Sequence, residues 1–142
     1  MIVLDTAVLA YAVGTEHPLR EPSREVVRAV ANGGVVATTS AAVIQEFAHV
    51  RALRRGRADA RARAGEFAEL LAPLLPTLAD DVAPALKLFE RHAELDAFDA
   101  FLATAALAHG AEALVSADRA FAGIRGLRFV ELGSTELGAL LE

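Results

Sequence analysis

The chain has no cysteine and no tryptophan, a single lysine, and only 6% aromatic residues among its 142 positions. The absence of cysteine excludes disulfides, thiolate zinc sites and cysteine nucleophiles. Few aromatic residues and abundant alanine favour closely packed helices over an all-β sandwich. Because 54% of the residues are hydrophobic, the chain has enough apolar material to fold, and an intrinsically disordered protein is excluded.

Targeting and membrane signals are also missing. The amino terminus lacks a basic segment and carries Asp5 where a signal peptide needs its apolar run. Apolar stretches such as Ala100 to Ala111 are far shorter than the roughly 20 residues of a membrane-spanning helix. We therefore expect a cytoplasmic protein with no membrane partner. Its length predicts one domain, residues 1–142.

Several common active-site motifs are absent. The sequence contains no G-x-G-x-x-G, Walker loop or G-x-S-x-G, which argues against dinucleotide binding, P-loop hydrolysis and hydrolase-elbow chemistry. The four histidines have no zinc-ligand spacing, and we interpret them as surface or helix-end residues: His17, His49, His92 and His109.

Short β-branched runs alternate with segments of helical periodicity. The predicted strands are Ile2–Leu4, Val35–Thr38, Ala113–Ser116 and Leu127–Val130. The predicted helices are Pro22–Ala31, Ala41–Arg54, Ala58–Leu71, Asp81–Glu94, Ala97–His109 and a short one after Asp118. Strands separated by helices predict a central parallel sheet in a three-layer α/β/α domain.

Four acidic residues lie at predicted strand ends or on helices that are otherwise largely apolar. Asp5 and Asp118 follow predicted strands, at the edge of a parallel sheet where ligands bind. Glu46 is set into the apolar face of its helix beside Val43 and Val50, and Asp99 opens a helix that is otherwise almost entirely apolar.

Each acid taken alone has a plain structural explanation. Asp96 as N-cap with Asp99 three residues later is a capping arrangement, and Asp5 and Asp118 are acceptable turn or cap residues. Taken together, four carboxylates at one sheet edge repel each other, and the only lysine, Lys87, lies mid-helix away from every strand end. This pattern predicts a divalent cation on oxygen ligands, Mg²⁺ or Mn²⁺, and phosphate chemistry.

Basic residues are concentrated in one segment of a chain whose net charge is −5. Between positions 51 and 63, six arginines face a single acid, Asp59, so the local net charge is +5. Alone, this cluster is typical of a solvated helix face. Beside an acidic metal site it indicates a surface that contacts a phosphate backbone. The arginines are Arg51, Arg54, Arg55, Arg57, Arg61 and Arg63.

The order and context of the four acids form a recognisable pattern. It consists of Val3-Leu4-Asp5-Thr6, Ser40-Ala41 leading to Glu46-Phe47, Phe98-Asp99-Ala100-Phe101, and Leu114-Val115-Ser116-Ala117-Asp118. Over nearly its whole length the chain resembles PIN-domain nucleases. The single-domain length and the arginine-rich helices make it most similar to the VapC-type toxins of bacterial toxin-antitoxin pairs.

This resemblance implies a Mg²⁺- or Mn²⁺-dependent endoribonuclease whose products carry 5′-phosphate and 3′-hydroxyl ends. Its implied partners are RNA, a cognate VapB-type antitoxin and a second copy of the chain. The helices from Ala41 and Ala58 are expected to offer Phe67 and Leu70 to an antitoxin helix. The implied metal ligands and catalytic residues are Asp5, Glu46, Asp99 and Asp118, with Thr6, Ser116 and Asp96 in support.

Other α/β proteins that gather acids at a sheet edge fit the sequence less well. A receiver domain needs an acidic pair near the first strand and a lysine after a late one, and a haloacid-type phosphatase needs D-x-D-x-T; the chain has neither. A binding module that uses the arginine surface without catalysis remains an alternative. Within the nuclease interpretation, a housekeeping RNA-processing PIN protein is the other candidate.

Overall fold

The computed structural model describes residues 1–142 and contains four short strands and seven α-helices. The strands are β1 (Ile2–Leu4), β2 (Ala37–Thr38), β3 (Ala113–Ser116) and β4 (Phe129–Glu131). The helices are α1 (Thr6–Ala12), α2 (Arg20–Ala31), α3 (Ala41–Arg55), α4 (Arg57–Leu70), α5 (Val82–Arg91), α6 (Ala97–Ala108) and α7 (Thr135–Leu141). None of the helices combines the length and apolar character needed to cross a bilayer.

The four strands form one parallel sheet in the order β2-β1-β3-β4. The central strand β1 aligns Val3 with Thr38 on one side and with Leu114 on the other. The chain therefore crosses from β1 to β2 and returns to β3 on the opposite side. In such sheets the ligand crevice lies at the carboxyl ends of the strands where the order reverses, here β1 and β3.

Helices cover both faces of the sheet. Every residue of β1 and β3 is buried, and alternate side chains of a strand point to opposite faces. On α6, the buried Ala100, Ala103 and Ala106 share one face, and side chains this small allow close approach to the sheet. The predicted three-layer α/β/α fold with a central parallel sheet is confirmed.

Two helices, α1 and α7, lie outside the predicted elements. The α1 sequence from Thr6 to Ala12 has no charged face that would mark a helical period, and the helix begins directly after Asp5. α7 begins after Ser134, whose Oγ accepts a hydrogen bond from the Leu137 N–H at 3.2 Å. The short helix predicted after Asp118 is a turn of 3-10 helix, Arg119–Gly123.

Helices α3 and α4 form a hairpin joined by the single residue Gly56, whose φ is +85°. Inside the hairpin the rings of Phe47 and Phe67 meet edge to face, with centroids 5.2 Å apart. Phe67 is therefore buried, and the expectation that it is exposed to a partner is wrong. Val50, expected on the inward face of α3, is partly exposed.

The glycine at the hairpin turn provides a test of this geometry. Gly56 has a backbone conformation that side-chain-bearing residues avoid, at a cost of about 1 to 3 kcal/mol. We expect Gly56→Ala to lower the free energy of unfolding by about that amount in urea titrations. The matched control is Gly65→Ala inside α4, where an added Cβ meets nothing within 4 Å. It is expected to raise stability by roughly 0.5 to 1 kcal/mol, and equal losses in both variants would contradict the assigned turn.

Candidate active site

Asp5 lies at the carboxyl end of β1 and is held from two sides. Its Oδ1 accepts a hydrogen bond from the Thr6 N–H at 2.7 Å, which caps α1, and its Oδ2 accepts one from the Ser116 hydroxyl at 2.6 Å. The residue is only 7% exposed. Burial raises the pKa of Asp5 to about 6, although both hydrogen bonds act in the opposite direction.

Glu46 reaches the same edge from the middle of α3. Ser40 caps this helix by accepting a hydrogen bond from the Val43 N–H at 3.1 Å, which fixes the point where α3 begins. The Thr6 hydroxyl donates to Glu46 Oε2 at 3.0 Å. Because Thr6 follows Asp5 directly, this bond connects the acid of α3 to the acid of β1.

Asp118 follows β3 and shares a partner with Asp5. Its backbone N–H donates to the Ser116 Oγ at 3.0 Å, while its Oδ1 caps the following 3-10 turn by accepting from the Ala120 N–H at 2.9 Å. The hydroxyl of Ser116 thus donates to Asp5 and accepts from Asp118. Thr6 and Ser116, which the resemblance placed in support of the acids, thus donate to Glu46 and Asp5 respectively.

Asp99 lies in the first turn of α6, three residues after the N-cap of that helix. Asp96 caps the helix by accepting a hydrogen bond from the Asp99 N–H at 2.8 Å, as the capping interpretation predicted. Burial first, and then the negative charges of Asp5, Asp96, Asp118 and Glu46, together raise the pKa of Asp99 to about 8. The charges of the other four carboxylates therefore act on Asp99, and those of Glu46 and Asp118 also act on Asp5.

No cation in the chain neutralises this group of acids. Each of the seven ion pairs uses other carboxylates, and none involves the five acids at the sheet edge. As the side chains stand, no three of them form a ready ligand group for one metal ion. The donor chemistry is nevertheless carboxylate oxygen with uncompensated negative charge, which fits a hard divalent cation.

The arginine cluster lies on the α3–α4 hairpin, and its six members differ. Arg54, Arg55, Arg57 and Arg61 are exposed and free of ion pairs, and Arg63 pairs with Glu66 at 3.1 Å. Arg51, in contrast, is largely buried and has a structural role.

The side chain of Arg51 is only 13% exposed, because it joins the hairpin and the end of α1. Its guanidinium pairs with Asp59 of α4 and donates to the Val13 carbonyl at 3.0 Å. We therefore correct the expectation that Arg51 contacts RNA.

The PIN domain family model matches residues 2–127 of the chain. The chain belongs to the PIN domain family. This PIN domain is 50% identical over 132 residues to ribonuclease VapC7 of Mycobacterium tuberculosis, covering 87% of this chain and 86% of that protein. It is 39% identical over 101 residues to ribonuclease VapC23 of the same species, covering 70% and 78% respectively. The predicted membership among VapC-type PIN domains is confirmed.

Solved structures agree with the assignment of the fold. Mycobacterium tuberculosis VapC20, described as a sarcin-ricin loop cleaving toxin, superposes with a TM-score of 0.71 at 21% identity, covering 90% of this chain and 99% of that one. The structure of VapBC2 from Rickettsia felis, bound to a DNA fragment from their promoter, gives a TM-score of 0.70 at 19% identity, with coverages of 92% and 98%. At these identities the likeness concerns the fold alone.

A cavity of about 260 Å³, which no sequence motif indicated, lies beside the acids between the starts of α3 and α6. Glu46 and Thr77 line it together with Phe98 and Phe101. Phe98 is 69% exposed although its helix is apolar almost all round. The sequence signal that could have revealed this cavity is the position of Phe98 one residue before Asp99, since the first turn of α6 faces the crevice.

The raised pKa values predict how the stability of the metal-free protein depends on pH. An unfolded aspartate has a pKa of about 3.9, so the folded protein holds protons on Asp5 and Asp99 more tightly than the unfolded chain does. Their stabilising contribution is complete below about pH 4 and is lost as the pH rises through the folded pKa values toward 8.

In urea titrations with a chelator, we expect a lower unfolding midpoint at about pH 8 than at about pH 5. Asp99→Asn is expected to remove most of this difference. Glu90→Gln, at an exposed acid of α5, is the control and is expected to keep it. A pH profile that Asp99→Asn leaves unchanged would contradict the assigned crowding.

Proposed function

We propose that this PIN domain, spanning residues 1–142, is a metal-dependent endoribonuclease and the toxin of a toxin-antitoxin pair. The proposal rests on four carboxylates that converge at the sheet edge with no lysine or arginine paired to them. The chain that carries them is 50% identical to ribonuclease VapC7. The family match ends at residue 127, but Leu137 of α7 is buried in the same core. This supports one domain for the whole chain.

Asp5, Glu46, Asp99 and Asp118 would hold Mg²⁺ or Mn²⁺. A cation bound there supplies the Lewis acid for hydrolysis of a phosphodiester. The protein contributes fixed oxygens: Ser116 holds Asp5, and Thr6 holds Glu46. Hydroxyls that orient metal-binding carboxylates affect affinity or activity by about 10- to 100-fold when removed.

The exposed arginines of the hairpin are proposed to contact the RNA backbone. Arg54, Arg55, Arg57, Arg61 and Arg63 lie on the helix that carries Glu46 or on the next one. Glu46 and Arg54 are eight residues apart, about 12 Å along α3. RNA cleaved beside Glu46 would bring neighbouring phosphates within reach of Arg54.

The proposed protein partners are a VapB-type antitoxin and a second copy of the chain. An arginine or lysine of the antitoxin suits the acidic crevice because it supplies the missing positive charge. The second copy suits the exposed face of α5, where Val82, Leu86 and Phe89 follow helical spacing and are each 40% to 48% exposed. Sedimentation equilibrium of the wild-type protein tests the dimer.

Removing individual carboxylates tests the proposed centre. We expect Asp5→Asn, Glu46→Gln and Asp99→Asn each to reduce RNA cleavage by more than about 100-fold, Ser116→Ala by about 10- to 100-fold, and Asp118→Asn less than the other acid variants. The metal-free melting temperature is not expected to fall, because each acid substitution relieves repulsion. Mg²⁺ or Mn²⁺ is expected to raise the melting temperature of the wild type more than that of the variants.

The control is Glu90→Gln, which keeps full activity in the same assay. Full activity in all the acid variants would contradict the catalytic assignment. Induced expression then separates the toxin role from the nuclease role. Growth arrest by the wild type but not by Asp5→Asn supports a toxin, whereas equal growth with RNA cleavage intact points to a housekeeping nuclease.

A second test separates the exposed arginines from the structural one. Arg57→Glu and Arg61→Glu are expected to weaken RNA binding and to flatten its dependence on log salt by about 1 for each lost phosphate contact. Arg51→Gln is expected to retain that salt dependence but to lower the free energy of unfolding, because Asp59 and the Val13 carbonyl lose their charged donor. If the salt slope is unchanged in both Arg57→Glu and Arg61→Glu, the arginine cluster is only a solvated helix face.

A further inference from the structure

A groove leaves the acidic centre along α1 and ends at a pair of aromatic rings. Two adjoining cavities form it, and they share Ala10, Gly14 and Arg54. The first is narrow, about 40 Å³, and starts at Thr6, whose hydroxyl binds Glu46. The second, about 380 Å³, ends at Tyr11 and His17. Through Thr6 the groove therefore adjoins the candidate active site.

The aromatic end of the groove is a stacked pair of rings, in which Tyr11 packs against the edge of the core and His17 is exposed. Tyr11, the only tyrosine of the chain, and His17 have ring centroids 4.4 Å apart and an interplanar angle of 23°. The Leu19 N–H donates to His17 Nδ1 at 3.1 Å, so the exposed ring is held in place. This hydrogen bond requires Nδ1 to be unprotonated, which leaves a ring proton on Nε2.

Gly14 keeps the floor of the groove free of side chains. A Cβ at this position would lie 2.8 Å from the Ala10 carbonyl oxygen, so the tight turn after α1 admits only glycine without adjustment. The small residues Ala10 and Gly14 line both cavities, whereas the larger Val13, Phe47 and Val50 line only the narrow one. A flat, narrow ligand fits such a groove.

Arg54 supplies the charge that identifies the ligand. Its side chain is exposed, forms no ion pair and lines both cavities. The seven residues of α1 extend over about 10 Å, close to the rise of three stacked nucleotides at about 3.4 Å each. A cation beside aromatic rings is the arrangement that binds phosphate and base of single-stranded nucleic acid.

We propose that the groove between α1 and α3 is a subsite for single-stranded RNA. In it, a base two or three nucleotides from the cleaved bond packs against Tyr11 and His17, while Arg54 contacts a neighbouring phosphate. The inference rests on the proposed ribonuclease function and adds to it the path of the strand on one side of the centre. Stacking tolerates any base, so this subsite contributes affinity more than sequence preference.

The test measures binding of a fluorescein-labelled, mixed-sequence, single-stranded RNA of about 12 nucleotides by anisotropy in chelator, together with cleavage in Mg²⁺. We expect Tyr11→Leu to weaken binding by about 5- to 100-fold, while Tyr11→Phe stays within about twofold of the wild type. We expect His17→Ala, a change at the surface, to weaken binding as well. If thermal melts show that Tyr11→Leu does not fold, the binding affinity of His17→Ala tests the stacking contact instead.

Arginine variants test the phosphate contact. We expect Arg54→Gln to lower the salt slope by about 1, while Arg91→Gln, at an exposed and unpaired arginine of α5, leaves it unchanged.

The subsite is overturned if both Tyr11→Leu and His17→Ala bind RNA as tightly as the wild type. It is also overturned if Arg54→Gln and Arg91→Gln show equal salt slopes. In either case, RNA cleavage by the wild type still supports the proposed ribonuclease function. The subsite is also overturned if the Tyr11 and His17 variants bind RNA normally but fail to bind a partner protein, because the groove then belongs to that partner. A wild type that neither binds nor cleaves RNA removes both proposals.

Discussion

The carboxylate of Asp5 is buried between the central strand and the helices, and it accepts hydrogen bonds from the Thr6 N–H and the Ser116 hydroxyl. Through these bonds one side chain caps α1, joins the ends of β1 and β3, and faces the other acids. Burial of a carboxylate beside like charges is unfavourable, as its raised pKa shows. The protein accepts this cost at the one edge of the sheet where a cation can offset it.

Much of this arrangement follows from the sequence by simple rules. Parallel strands bring their carboxyl ends to one edge, and this rule alone places Asp5, Ser116 and Asp118 together. Helical spacing places Glu46 on the inward side of α3, and a capping pattern accounts for Asp96. These inferences succeed because each depends on local geometry and on one global feature, the parallel sheet.

The inferences that fail depend on how helices cross. Arg51 is found in an ion pair because α4 returns past it and presents Asp59, and the burial of Phe67 has the same origin. The tight turn at Gly56 fixes that crossing, but sequence periodicity does not reveal which faces meet. Helix α1 is missed for a different reason: its seven residues carry no charge, so no charged face indicates a helical period.

The bond between Ser116 and Asp5 spans 111 positions of the chain. During synthesis, which proceeds at about 5 to 20 residues per second, the central strand is made first but lacks β3 until most of the roughly 7 to 28 s of translation has passed. A nascent chain therefore carries its acids long before they meet. Its acidic centre is assembled only when synthesis is nearly complete.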